Sequence, residues 1–348
     1  MLDVRRLRLL RELARRGTIA AVAEALSFSP SAVSQQLSVL EREAGLPLLE
    51  RTGRRVRLTP AGQHLVGHAE AVLERLEQAD ADLAEARQGL AGALRIGAFP
   101  TATRAIVPAA LVTLARCHPR LEPMVCETDP AAVAHALRAG DLDVALVHEY
   151  DFVPSPREPG LETAPLYSES MYLAAPAASG PGAGPYAGPG AGPYGGPGAD
   201  PYGAPGAAPD GGPDPDPAPG PDQGAVLRAH RDAPWITATP GTLCHAMAVR
   251  ACQAAGFSPR IRHQVDEFPT VLALVAAGQG VAVVPQLGID GPAGPFGPAP
   301  TAVTLTRLPM QRRTELAFRS GAGGHPAVAA FGAAVRDALP GDLAPARR

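Results

Sequence analysis

The sequence of 348 residues contains no lysine and no asparagine, so all 31 of its basic residues are arginine. Both missing residue types have AT-rich codons, and their absence hints at a GC-rich gene. There is no run of 18 or more apolar residues, which argues against a membrane-spanning helix. The amino terminus, from Met1 to Arg6, has no apolar signal core. We therefore expect a cytoplasmic protein with no membrane segment.

Motifs that would hold a metal or a cofactor are also missing. The four cysteines form no CxxC pair, which predicts free thiols. No GxGxxG loop, Walker A loop or GxSxG motif lies between a predicted strand and helix, and no nucleophile–base pair is evident. His64 and His68 have i, i+4 spacing but lack further ligands. We expect no metal, no cofactor and no enzymatic activity.

The charge is unevenly distributed along the chain. Residues 1–60 contain eleven arginines and six acidic residues, a net charge of +5, whereas the rest of the chain carries −8. A basic segment on an acidic body is typical of binding to a polyanion, although such a bias also serves solubility.

One segment has an unusual composition. From residue 179 to residue 224, 28 of 46 residues are glycine or proline, with an eight-residue repeat over 182–205. Because so little apolar surface cannot offset the entropy of ordering, we expect a disordered insert in a surface loop. A docking tract for a partner is the alternative.

Residues 2–58 have the pattern of three short helices followed by a hairpin. Thr18 and Ser29 are predicted N-caps, and Pro30 occupies the first position of the third helix. Because the second helix is short and the turn after it is tight, this arrangement predicts a helix-turn-helix. The hairpin at 46–58 has a glycine tip among arginines, which is typical of a wing that contacts phosphates. A solvated basic turn is the alternative.

The third helix, predicted over 30–44, has an uncharged polar face. Small hydroxyls allow close approach to a major groove, and glutamine can bind adenine with two hydrogen bonds. An ordinary solvated face is the alternative interpretation. The side chains at i, i+3, i+4 and i+7 on this face are Ser31, Ser34, Gln35 and Ser38.

Residues 59–92 predict a long helix that pairs with a second copy. Apolar residues from Leu65 to Leu90 follow each other at alternating spacings of four and three, as in a coiled-coil seam. We therefore expect a homodimer that places two reading helices on two half-sites of double-stranded DNA. Packing of this helix on its own chain is the alternative.

From residue 93 onward, strands alternate with helices, which predicts a parallel α/β fold. The loops after the strands at 94–99 and 235–238 supply hydroxyl groups and free N–H groups of helix amino termini, which together could bind an anion. The alternative is that these hydroxyls only cap their helices. The other predicted strands are 121–126, 144–148, 171–175, 261–265, 280–285, 303–308 and 315–319, and the predicted helices are 103–117, 130–139, 243–255, 270–277 and 325–339.

The run AVAEALSFSPSAVSQQLSVLEREAGLPLLERTGRRVRLTPAG resembles the DNA-binding module of LysR-type transcriptional regulators. GDLDVALVHE, PWITATPGT and AGFSPRIRHQVDEFPTVLALVAAGQGVAVVPQLG are similar to the effector-binding domain of that family, which resembles periplasmic solute-binding proteins. The resemblance implies a winged helix-turn-helix over 1–58, a linker helix over 59–92, and a two-lobed α/β effector-binding domain over 93–348. It also implies a dimer or a homotetramer. The Gly/Pro-rich insert at 179–224 departs from the family pattern.

The resemblance assigns candidate site residues. DNA contacts are expected from Ser29, Pro30, Ser31, Ser34 and Gln35, with Thr18 and Ser38 beside them and Arg51, Arg54 and Arg55 on the wing. A small-molecule effector is expected between the lobes at Thr101, Thr103, Glu127, His148, Thr237, Thr239 and Phe268.

The sequence thus predicts a DNA-binding regulator controlled by a small molecule. A thiol-based redox sensor using Cys244 and Cys252 is an alternative, because peroxide-sensing members of the family have a cysteine pair in this region. Eight residues on an intact helix span about 12 Å, however, which is too far for a disulfide. An enzyme or solute-binding protein fused to a DNA-binding module is the third possibility.

Overall fold

The structure is a computed structural model that describes residues 1–52, 55–86, 90–153, 158–177, 223–289, 302–341 and 343–345. Most of the Gly/Pro-rich insert lies outside the described residues. Its last two residues, Gln223 and Gly224, are not a disordered tract but the start of a helix.

The amino-terminal unit is a three-helix cluster with a small hairpin. It consists of α1 (Val4–Arg16), α2 (Ile19–Ala25), α3 (Pro30–Ala44), β1 (Leu49–Thr52) and β2 (Arg55–Leu58). Leu10, Val22 and Leu37 are fully buried between the helices. Gly17 ends α1 with a φ of 71°, a left-handed conformation that glycine adopts without strain.

Helix α4 (Pro60–Ala86) follows the hairpin and packs along α1. It is shorter than the helix predicted over 59–92, because Ala91 and Gly92 already belong to a strand that pairs in the first lobe. Its residues Ala69, Leu73 and Ala81 are buried within the chain. Among the residues that the structure describes, no helix is long and apolar enough to cross a membrane.

The first lobe of the remaining chain is built around three parallel strands. These are β3 (Ala91–Ala98), β4 (Arg120–Glu127) and β5 (Val144–Tyr150), with β3 in the middle. Ile96, Leu146 and Phe331 lie in the core of this lobe. The helices that cover it are α5 (Pro100–Ala105), α6 (Val107–Cys117), α7 (Pro130–Ala139) and α12 (Pro326–Asp337).

The expected helix over 103–117 is two helices. Helix α5 begins at Pro100, and Ile106 separates it from α6. The φ and ψ angles of Ile106 are not helical, and Pro108 follows at the start of α6, where the missing N–H is tolerated.

The second lobe has its own strands and core. Its elements are α8 (Gln223–Arg228), β7 (Pro234–Thr237), α9 (Leu243–Ala254), β8 (Arg260–Gln264), α10 (Phe268–Ala276), β9 (Ala282–Pro285) and α11 (Gln286–Ile289). Trp235, Met247 and Val281 are buried among them. Strand β7 pairs with β8 in parallel.

Two long antiparallel strands run through both lobes. Strand β6 (Leu161–Pro176) pairs along its length with β10 (Val303–Arg319), and β10 also pairs with β5. Strand β9 and the short β11 (Ala344–Pro345) join β6. The α/β class is therefore confirmed, but the large sheet is mixed where parallel strands were predicted, and the two strands expected at 303–308 and 315–319 are one strand.

Candidate functional site

The polar face of α3 is open to solvent. Ser31, Gln35 and Ser38 are exposed and Ser34 is half-buried, while Val33, Leu37 and Leu40 anchor the opposite face. The helix is uncharged along this edge, and its apolar residues recur at helical spacing on the other side. The face can therefore approach another surface closely without a charge to desolvate.

Side-chain caps fix how α3 begins. The Ser29 hydroxyl accepts a hydrogen bond from the Ala32 amide at 3.2 Å, and Pro30 occupies the first turn. The Ser31 hydroxyl lies 3.0 Å from that of Ser29. Thr18 caps α2 in the same way, by accepting from the Ala21 amide at 3.2 Å. These caps fix where α2 and α3 begin.

The hairpin next to α3 pairs Leu49 with Leu58 and Thr52 with Arg55. Gly53 and Arg54, at the predicted tip of the wing, lie outside the described residues, and so do the side chains of Arg51 and Arg55.

Helix α4 leaves an apolar stripe uncovered within the chain. Val72, Leu76, Ala79 and Leu83 are exposed, and 48 % of Leu76 and 64 % of Leu83 are open to solvent. One side of the helix packs on its own chain, as the alternative interpretation predicted. The neighbouring apolar stripe is not covered by the described part of the chain, and it stays available for the predicted pairing with a second copy. His64 and His68 are exposed, and no group of three potential ligands for a metal occurs in the described part of the chain.

A cleft of about 530 Å³ separates the two lobes. The first lobe contributes Phe99, Thr101, Glu127 and His148, and the second contributes Thr239 and Phe268. They lie near the carboxyl ends of strands, which parallel strands place at one edge: Glu127 is the last residue of β4, Thr239 follows β7, and His148 lies within the last three residues of β5. Five of the seven residues expected to meet an effector thus lie on the cleft wall.

The other two residues do not line the cleft. The Thr103 hydroxyl donates to the Phe99 carbonyl at 3.2 Å within its own helix, as threonines in helices often do. Thr237 is buried, and its hydroxyl lies 3.4 Å from Nδ1 of His245. Both point into their own lobe because they occupy the inward side of α5 and β7.

The floor of the cleft holds a buried ion pair that sequence reasoning missed. Arg312 on β10 lies 2.7 Å from Glu169 on the neighbouring strand β6, and both side chains are almost fully buried. The Arg312 guanidinium also donates to the Thr101 hydroxyl at 2.9 Å, and Glu169 accepts from the Leu287 amide at 2.8 Å. Burial opposes the charge of Arg312, but the Glu169 carboxylate raises its pKa. The pair therefore ties α5 to α11 across the base of the cleft.

His148 lies beside this pair without a hydrogen-bond partner. It is 6 % exposed, and neither ring nitrogen meets a donor or acceptor in the described part of the chain. Its ring stacks edge-on against Phe99 and Tyr150, with centroids 4.5 and 5.2 Å apart. Burial, and then the nearby Arg312 charge, lower the pKa of His148 well below its usual value. The imidazole is therefore neutral at pH 7 and can offer one donor and one acceptor to a ligand.

The mouth of the cleft is acidic. Glu127 and Asp129 are exposed on the first lobe, and Asp266 and Glu267 are exposed on the second. Asp266 accepts from the Thr239 amide and hydroxyl at 2.9 and 3.0 Å, while Asp129 caps α7. The cleft therefore presents carboxylates on both sides and arginine at its floor.

Cys244 also lines the cleft, at the start of α9. Its sulfur lies 3.0 Å from the Tyr150 hydroxyl, and burial raises the pKa of the thiol. Cys252 is fully buried in the core of the second lobe, and burial raises its pKa to about 12. Both cysteines lie on one unbroken helix, so about 12 Å of rise separates them.

Two family models match this chain. The model described as bacterial regulatory helix-turn-helix protein, lysR family, matches residues 4–63. The model described as LysR substrate binding domain matches residues 87–185 and 217–340, which leaves out the middle of the Gly/Pro-rich insert.

Some curated relatives align along most of the chain and others along about half of it. A probable hydrogen peroxide-inducible genes activator of Streptomyces viridosporus is 28 % identical over 94 % of this chain and 94 % of the relative. One from Mycobacterium xenopi is 40 % identical over 45 % of this chain and 80 % of the relative. The HTH-type transcriptional regulator TfdS of Cupriavidus pinatubonensis is 28 % identical over 92 % of this chain and 89 % of the relative.

Solved structures share the fold. A cysteine-to-aspartate variant of full-length OxyR from Pseudomonas aeruginosa has a TM-score of 0.54 at 21 % identity, and the match covers 97 % of this chain and 99 % of that chain. A mutant OxyR from Corynebacterium glutamicum has a TM-score of 0.51 at 25 % identity and covers 97 % of this chain and 92 % of its own.

Proposed function

The chain belongs to the LysR family of bacterial helix-turn-helix transcriptional regulators, and on this premise we propose that α3 reads promoter DNA while a small molecule in the inter-lobe cleft controls it. The proposed division is a winged helix-turn-helix over 1–58, a linker segment over 59–92 that contains helix α4 (Pro60–Ala86), and an effector-binding domain over 93–348. A regulator of this kind works in the cytoplasm and catalyses no reaction.

The proposal that α3 binds DNA rests on its exposed, uncharged edge. Gln35 can bind an adenine edge, and Ser31, Ser34 and Ser38 are small enough for close approach in the major groove. Ser29 and Pro30 set the start of the helix, and Thr18 lies at the start of the preceding one, near the phosphates. The wing arginines Arg51, Arg54 and Arg55 would contact the backbone in all sequences. Binding of the purified protein to its own upstream DNA, compared with a scrambled duplex, tests this proposal.

The cleft supports an effector that bridges the two lobes. Thr101 and His148 lie at its base, Thr239 and Phe268 on the opposite wall, and Glu127 at its mouth. A ligand that contacts both walls favours a closed arrangement over an open one, and it thereby shifts the population of lobe positions. Because α4 contacts the turn at Ala322–Gly324 in the first lobe, lobe movement can reach the linker helix.

A thermal-shift screen of small organic acids and amines would identify the effector. Thr239→Val should then lower its affinity about tenfold, because it removes a polar group from the cleft wall. Thr103→Val is the matched control, since this hydroxyl bonds inside its own helix. Equal losses in the two variants would place the ligand elsewhere.

The exposed stripe on α4 supports a homodimer, from which a tetramer can be built. Val72, Leu76 and Leu83 would meet the same residues of a second copy. Leu76→Glu should lower the mass measured by light scattering, while Ala71→Glu, exposed on the same helix but off the stripe, should leave it unchanged. An unaltered mass in both variants would exclude this stripe as the dimer contact.

A redox sensor is the second candidate, because relatives are named peroxide-inducible activators and Cys244 lines the cleft. Against it stand the raised pKa values of both thiols, since the thiolate is the reactive form. Counting free thiols before and after peroxide tests it. Loss of thiols that depends on Cys244, as shown with Cys244→Ser, would favour the sensor over the small-molecule effector.

A further inference from the structure

A second, smaller cavity lies where α1, α4 and the first lobe meet. It has a volume of about 120 Å³ and is separate from the inter-lobe cleft. Four arginines line it, two from α1 and two from the first lobe, together with carboxylates of α4. The arginines are Arg8, Arg11, Arg138 and Arg319.

Two of these arginines are buried with unmet hydrogen-bonding capacity. Arg11 is 7 % exposed and Arg138 is 8 % exposed, yet Nε of each has no acceptor among the described residues. Nη2 of each arginine is engaged, because Arg11 donates from it to Glu12 at 3.0 Å and Arg138 donates from it to Glu158 at 2.5 Å. Buried donors without an acceptor are costly, and they are rare in folded proteins unless water or a ligand meets them.

A third arginine adds positive charge at the edge of this cavity. Arg15 has no acceptor for Nε or Nη1 within hydrogen-bond distance in the part of the chain that the structure describes. It lies against Gly160, where an added Cβ atom would come within 2.8 Å of Nη2, and Gly160 lines the cavity. Burial and the nearby Arg138 lower the pKa of Arg15. Guanidinium groups are therefore crowded here despite their mutual repulsion.

The neighbouring carboxylates do not satisfy the unmet donors. Glu70 accepts from Arg15 at 2.9 Å, and Glu77 accepts from Arg319 at 2.8 Å. Glu12, also buried, is shared between Arg11 and Arg16. These ion pairs offset part of the charge, and Glu74 lines the cavity as a third carboxylate of α4. Among the residues that the structure describes, Nε of Arg11 and of Arg138 still has no acceptor.

We propose that this cavity binds a small inorganic oxyanion of the phosphate or sulfate type. Guanidinium groups match the oxygens of such an anion with directed, charge-assisted hydrogen bonds. The cavity is too small for a nucleotide or a DNA backbone. Because Arg11 belongs to the helix-turn-helix unit and Arg138 to the first lobe, a bound anion holds these two parts of the chain together.

Calorimetric titration of the full chain with inorganic phosphate, and separately with sulfate, tests this site at constant ionic strength. We expect one saturable site per chain for at least one of the two anions and none for chloride. Arg138→Met and Arg8→Met should each weaken binding at least tenfold. Arg231→Met is the matched control, because this arginine is exposed and remote from the cavity.

The absence of a saturable site for both phosphate and sulfate would overturn the proposal. Unchanged affinity in the two cavity variants would also overturn it. Should Arg138→Met fail to fold, Arg8→Met decides the outcome, because Arg8 is only partly buried and its loss leaves no buried charge unpaired.

Discussion

Arg312 and Glu169 are partners across two adjacent strands, with Nη2 of the arginine 2.7 Å from Oε1 of the glutamate. They are 143 residues apart in sequence, and the register of β6 and β10 sets them opposite each other. Each also contacts an element at the base of the cleft, through Thr101 and Leu287. The pair therefore links the two long strands to α5 and α11 at the base of the cleft.

Removing one member of this ion pair should lower the stability of the fold more than replacing both members with apolar residues. Glu169→Gln leaves a buried guanidinium without its counter-charge, so we expect a loss of about 3–5 kcal/mol in the free energy of unfolding. The double variant Glu169→Leu with Arg312→Met should recover much of this loss. Urea denaturation measures both, with exposed Glu122→Gln as a control that should change stability by less than about 0.5 kcal/mol. If the double variant loses as much stability as Glu169→Leu and Arg312→Met lose together, the two side chains do not act as a pair.

Gln35→Ala should weaken binding to promoter DNA by about 1–3 kcal/mol and leave binding to a scrambled duplex almost unchanged. The reason is that an amide on the exposed edge of α3 contacts a base and contributes little to the phosphates. Fluorescence anisotropy with both duplexes measures the two affinities, and exposed Gln253→Ala in the second lobe is the control. Promoter affinity equal to that of the wild type would show that α3 does not read this base.

Substitution of the wing arginines should weaken binding to every DNA sequence, whereas Gln35→Ala should weaken binding to the promoter alone. Arg51→Ala and Arg55→Ala should lower the affinity for promoter and scrambled duplexes alike. The slope of log affinity against log salt should become shallower by about 0.9 for each phosphate that is no longer neutralised. A salt titration measures the slope, with Arg231→Ala as the control. A weakening confined to the promoter would mean that the wing reads sequence.

His148 should make the fold sensitive to acid. Its pKa is lowered in the folded state by burial and by Arg312, so between that value and about 6.5 the unfolded chain binds a proton that the folded chain does not. Stability should therefore fall as the pH drops below about 6.5, by up to about 1.4 kcal/mol per pH unit from this residue.

Thermal unfolding of the wild type and of His148→Gln between pH 7.5 and 5 measures this contribution. The variant should lose stability less steeply on acidification. His230, whose pKa is also lowered by burial, remains in both proteins and accounts for part of the slope. Parallel curves for the two proteins would contradict a neutral, buried His148.

The sequence alone determined the amino-terminal helix-turn-helix and the presence of two α/β lobes. Residues 1–58 fold through local signals, such as the Ser29–Pro30 cap and the spacing of Val33, Leu37 and Leu40, and these signals act within a few residues. Local periodicity after residue 93 likewise predicted most strands and helices in order, but it missed α8 and α11, merged α5 with α6 and divided β10 in two. The positions of Thr101 and Thr239 at strand ends were predictable because ligand-binding edges of α/β sheets lie there.

Only the tertiary structure decided which segments distant in sequence contact each other. Strand β10 continues from Val303 to Arg319 because it pairs with β6, a partner more than a hundred residues away, and no local pattern encodes that pairing. The same long-range register buries Arg312 against Glu169, and packing within each lobe turns Thr103 and Thr237 away from the cleft. The arginine cavity depends on contact between α1 and the first lobe, which arises from packing of separate segments and leaves no periodic trace in the sequence.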